Sequence, residues 1–116
     1  MDNIRKKKVE SQLKREISGI IMRDIKDPRV KMVSVHGVSL TNDLRIAHVY
    51  VSVMGDEKEK KRVMAGLKNA SGFIRKEIGD RIRIRYNPEL KFTIDETIEQ
   101  QARVMKLLKT IEETND

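Results

Sequence analysis

The sequence predicts an α+β domain in which helices cover one face of a three-stranded mixed sheet. Three observations predict it: an amphipathic helical pattern at the start, two neighbouring runs with apolar residues at alternate positions, and a long helical stretch ahead of a third such run. A chain of 116 residues suffices for one core. Residues 1–95 are read as that domain and residues 96–116 as a C-terminal helix.

Val9, Leu13, Ile17, Ile20 and Ile21 recur at helical spacing, so a first helix is expected from about residue 3 to 25. Asp27-Pro28 interrupts it, because proline disfavours the helical conformation in the residue before it. Val33 and Val35 alternate, and Val38 and Leu40 then alternate in the opposite parity, which marks Gly37 as a bulge that returns one face to the core. Thr41-Asn42-Asp43 forms the turn into a second strand whose inward set is Ala47, Val49, Val51 and Val53.

After Gly55-Asp56, the residues Val63, Leu67 and Ala70 set the inner face of a helix, with Lys58, Lys60, Lys61 and Lys68 outside. Ala70, Ser71 and Gly72 are then expected to form a joint at which a second, short helix starts, carrying Ile74 and Ile78 inward and capped by Gly79. A helix restarting there would present unpaired N–H groups to an anion. Arg81 to Tyr86 alternates with period two, isoleucines inward and arginines outward, and Leu90, Phe92 and Ile94 make the third strand. The long crossover predicts that strands two and three run parallel. From Thr97, with Gln100 three residues on as in a capping box, a last helix carries Ile98, Met105, Leu108 and Ile111.

Charge narrows the possible partners. The chain carries 25 Lys plus Arg against 18 Asp plus Glu, a net +7. The excess is concentrated, +5 over residues 1–31 and +6 over residues 57–94, while residues 95–116 sum to −3. A polyanion suits such a surface. No cysteine occurs, which excludes disulfides and thiolate metal sites and fits a reducing cytoplasm. His36 and His48 lack a supporting ligand set, Asp24, Asp27, Asp95 and Glu96 read as caps beside turns, and no phosphate loop or catalytic motif is present. No cofactor, metal, membrane or small-molecule substrate is expected, and the chain is read as a monomer.

The candidate RNA-binding residues are Lys68, Asn69, Ser71, Arg75, Lys76, Arg81, Arg83 and Arg85 around the joint, Arg45 at the start of the second strand, and the terminal run Arg5, Lys6, Lys7 and Lys8. For Lys58, Lys60, Lys61 and Arg62 the simpler reading is a solvated helix face. Arg85 also suits a structural role beside Tyr86 and Glu89, and the terminal run suits a solubilising end. Phe73 and Phe92 are assigned to the core, which argues against an aromatic stacking surface.

Four stretches together resemble a known family: Thr41 to Arg45 leading into Ala47 to Val53, Ala70-Ser71-Gly72-Phe73-Ile74-Arg75, Arg85-Tyr86-Asn87-Pro88-Glu89-Leu90, and Phe92 to Asp95 with Ile98. They are similar to a type II KH-like domain and, more closely, to the ribosome-binding factor A family. In that family an Ala-x-Gly kink replaces the Gly-x-x-Gly loop of ordinary KH domains, and Ala70-Ser71-Gly72 matches it. The resemblance implies a cytoplasmic, non-enzymatic RNA-binding assembly factor that associates with the immature small (30S) ribosomal subunit. It further implies promotion of late 16S rRNA maturation, including the 5′ region, and importance in the cold. Binding of duplex DNA or of an acidic protein is the competing reading of the basic surface.

Overall fold

The structure, a computed structural model, describes residues 3–30, 33–95 and 108. The helix expected from Thr97, with its capping box, lies outside them except for Leu108, which is helical and half exposed. In chain order the elements are α1 (Asn3–Arg23), a 3-10 turn (Pro28–Val30), β1 (Val33–Leu40), β2 (Ile46–Val53), α2 (Glu57–Arg81) and β3 (Glu89–Ile94). The sheet is mixed, in the order β1-β2-β3, with β1 antiparallel and β3 parallel to the central β2.

Alternation in β2 divides the sheet into two faces. Ala47, Val49, Val51 and Val53 are buried, while Tyr50 between them is exposed. The ladder of β1 slips between Val35 and Gly37, so His36 is the extra residue, and Leu40 returns to the core as the change of parity requires. His48 pairs with Ser39, so the two histidines do not stand opposite one another. On the buried face, α1 packs along β1 and α2 along β3, and the helices touch each other. Leu13, Ile17 and Ile20 of α1 meet Leu67, Ile74 and Ile78 of α2 in this core, all fully buried, and each such side chain contributes about 1.5–3 kcal/mol.

Local signals set the start of α2. Gly55 turns at φ 120°, where a side chain would also collide with Glu59. Asp56 then caps the helix, its carboxylate accepting from the Glu59 amide at 2.8 Å, and Glu57 and Glu59 place negative charge in the first turn.

The expected joint is corrected. α2 runs as one helix of 25 residues through Ala70, Ser71 and Gly72, so no second helix begins there and no set of free amides is exposed. Ala is the best helix former, the Ser71 hydroxyl donates back to the Lys68 carbonyl at 2.7 Å, and a single Gly costs only about 1 kcal/mol. Burial of Leu67, Ile74 and Ile78 on one stripe outweighs that cost. Gly79 likewise is not the cap. The helix passes it and ends where the Ile82 amide donates to the Ile78 carbonyl at 2.9 Å, with Ile82 itself extended.

Two further expectations change with the single helix. Ile74 takes the inward position, which turns the adjacent Phe73 outward to 45% exposure. Lys60, expected on the solvated face with Lys58, Lys61 and Arg62, is buried, whereas those three are exposed.

The glycines of α2 are not equivalent. A Cβ at Gly66 would lie 2.8 Å from Val30 and 3.2 Å from Arg29, whereas at Gly72 nothing lies within 4 Å. Gly66→Ala should therefore destabilise the fold by about 1–3 kcal/mol, and Gly72→Ala should stabilise it by up to about 1 kcal/mol. Urea unfolding of the two variants beside the parent measures both; a loss at Gly72 would mean that its backbone is not ordinary helix.

Candidate nucleic-acid interface

Helical spacing separates the residues around Gly72 into two groups. Lys68, Ser71, Gly72 and Arg75 lie along one stripe of α2 and, with Met64, His48 and Lys91, line a cleft of about 740 Å³ between α2 and β3. Asn69, Ala70 and Phe73 fall on the adjacent side and line a separate hollow against Asp24, Lys26 and Asp27. Lys76 is exposed on α2. The sequence reading missed Lys91, although the alternation Leu90, Phe92, Ile94 puts it on the polar side of β3.

Arg75, on the lining of the cleft, also takes part in a reciprocal clasp. The Arg75 guanidinium donates to the Asn87 carbonyl through Nη2 at 2.8 Å and Nε at 3.3 Å, and Asn87 Nδ2 donates to the Arg75 carbonyl at 3.0 Å. Gly79, one turn along α2, makes room for it, since a Cβ there would lie 3.0 Å from Asn87 Nδ2. A carbonyl partner carries no formal charge and does not neutralise the guanidinium. The clasp fixes where Tyr86 emerges, and Arg45 and Arg85 hold their guanidinium carbons 5.9 and 5.6 Å from its ring centroid.

Beyond Tyr86 the basic tract continues onto α1. Arg5, Arg83 and Arg85 line a hollow of about 610 Å³ with Asn42, Leu44 and Tyr86, and Lys6 Nζ donates to Asn42 Oδ1 at 3.2 Å. Glu10 of α1 accepts from the Leu40 amide at 2.7 Å, tying the helix to the end of β1 beside this hollow. Lys7 and Lys8 lie on a neighbouring face of α1 with Gln12 and Arg15.

Arg81 does not join the tract. Its guanidinium bridges Asp24 at 3.1 Å, Glu77 at 3.2 Å and Glu16 at 3.5 Å, joining α1, the turn after it and α2. Three carboxylates around one cation leave little net charge for a phosphate, so this geometry favours a structural tie over the expected RNA contact of Arg81. Helical spacing reveals the Glu77 partner, but not Glu16 or Asp24, which are distant in sequence.

The fold and this tract can be set beside known proteins. The family model described as ribosome-binding factor A matches residues 5–108. The chain belongs to that family. A ribosome-binding factor A from Halothermothrix orenii is 47% identical over 116 residues, which is all of this chain and 95% of the relative. A solution NMR structure of a Thermotoga maritima ribosome-binding factor A homologue superposes with TM-score 0.72 at 34% identity, covering 85% of this chain and 94% of that one. Coordinates of the Thermus thermophilus ribosome-binding factor A, fitted into a cryo-EM map of its complex with the 30S subunit, give TM-score 0.63 at 28% identity over 76% of this chain and 92% of that one. At Ala70-Ser71-Gly72, where the resemblance implied a kink, this chain has uninterrupted helix.

The turn that carries Arg45 has a pH signature. Asp43 accepts from the Thr41 hydroxyl at 2.6 Å and the Arg45 amide at 3.1 Å, and these bonds hold its carboxyl below the ordinary 3.8. A carboxyl lowered in the folded state contributes stability that is complete above its unfolded value and is lost as pH falls through the folded one. Asp43→Asn should therefore flatten the fall of the urea midpoint below pH 3.8. An unchanged slope would show that the turn's bonds do not depend on the charge.

Proposed function

We propose that this chain binds ribosomal RNA of the immature small (30S) subunit and promotes late maturation of 16S rRNA, including its 5′ region, without catalysing a reaction. The supporting observation is the connected basic tract: Lys68, Arg75 and Lys91 along the α2–β3 cleft, then Arg45, Arg83 and Arg85 around Tyr86, then Arg5 and Lys6 on α1. Membership of a family with a member fitted into a 30S complex supports the small subunit as the target of that tract.

The mechanism is conformational. Cations spaced along a rigid helix, a strand edge and a clasped loop match phosphates only when the RNA backbone follows the same path. Binding energy therefore favours one RNA arrangement over others. Release follows when the RNA rearranges and the favoured path disappears.

The test compares binding of immature 30S particles, mature 30S particles and duplex DNA over a range of salt. The parent should prefer immature particles. Lys68→Glu combined with Lys91→Glu should weaken that binding by about tenfold or more and lower the salt slope by roughly 1–2, with no change in the urea midpoint. Arg81→Gln should do the reverse, losing stability while the folded fraction binds as before. Equal affinity for duplex DNA and immature particles would overturn the reading.

A further inference from the structure

Sequence reading argues against an aromatic platform, yet the structure places one within the tract. Tyr86 is 45% exposed, in the segment between α2 and β3 that the Arg75–Asn87 clasp holds in place. Two guanidiniums lie over or beside its ring, at 5.9 and 5.6 Å from the centroid. An aromatic ring left in water gains nothing from burial, and arginines gathered at its ring leave a flat, polarisable and positively charged surface.

The adjoining hollow has the lining that a flat heteroaromatic ring requires. Val9, Leu44 and Ile84 supply apolar contact, and Asn42 and Asp43 bring an amide and a carboxylate that can meet base edges. Its volume of about 610 Å³ falls in the usual range for small-ligand sites, roughly 300–1,000 Å³. Leu44 reaches this lining from φ 63°, a left-handed backbone that an L residue adopts at a cost. It is the one non-glycine residue with positive φ among the described residues.

We propose that Tyr86, with the guanidiniums of Arg45 and Arg85, is a stacking site for one unpaired nucleobase of single-stranded RNA, whose neighbouring phosphates fall on Arg83 and Arg85. This inference rests on the RNA-binding reading and deepens it. Phosphate contacts select a backbone path and read no base, whereas a stacking site admits only a base whose face is open. The site therefore selects RNA in which a segment is still single-stranded.

The chain holds two tyrosines and no tryptophan, so Tyr50→Phe leaves Tyr86 as the sole strong intrinsic fluorophore. A short single-stranded oligoribonucleotide should quench the emission of that protein, and an abasic strand of equal length should not. Tyr86→Leu should bind the intact strand about 5- to 100-fold more weakly. Its salt slope should be unchanged, and Tyr86→Phe should bind as the parent does. If the intact and abasic strands bind the parent equally, or Tyr86→Leu weakens both alike, stacking is wrong while RNA binding stands. Should the parent bind neither strand nor immature particles, the RNA-binding reading falls as well.

Discussion

The rest of the structure depends on the return of the chain from the far end of α2. A helix of 25 residues carries the chain away, and the segment 82–88 must bring it back so that β3 lies parallel to β2. Ile82 and Pro88 are buried at the two ends of that segment, while Arg83, Arg85 and Tyr86 project from it. The Arg75–Asn87 clasp joins it to the helix just before Pro88. The constraint that closes the fold therefore also displays the basic residues, and packing and presentation cannot be varied independently.

Arginine serves three different ends in this small domain. Arg81 is surrounded by carboxylates from three stretches of chain and holds elements together. Arg75 divides its role, clasping a carbonyl while lining the cleft. Arg45 and Arg85 gather at an exposed ring. Lysine could not replace all of these, because a planar fork with several donors suits bridging, clasping and stacking in ways that a point charge does not.

Much of the architecture was legible in the letters. The valines of β2, the parity change across Gly37 and the length of the crossover each state a local rule that the fold obeys. What misled was a local signal read without its tertiary context. Ala70-Ser71-Gly72 looks like a break, but its helix penalty is small against the burial of Ile74 and Ile78 beyond it. Once the helix continues, Phe73 is carried outward. The charges posed a different difficulty. Side chains at 16, 24 and 81 meet only in three dimensions, so periodicity places Arg81 outward correctly and says nothing of what waits there. Arg83 and Arg85 converge with Arg5, and Arg45 with Arg85 at the Tyr86 ring, for the same reason, and their proximity is a product of topology.

The bond from the Leu40 amide to Glu10 has a consequence for the chain's behaviour in a crowded solution. β1 borders the sheet, and its outward amides are the groups on which a foreign strand could begin to pair. At Leu40 that position is already taken by a carboxylate supplied from α1. An incoming strand would meet a fixed negative charge where it needs a donor, so the side chain that anchors a helix also guards the border against self-association.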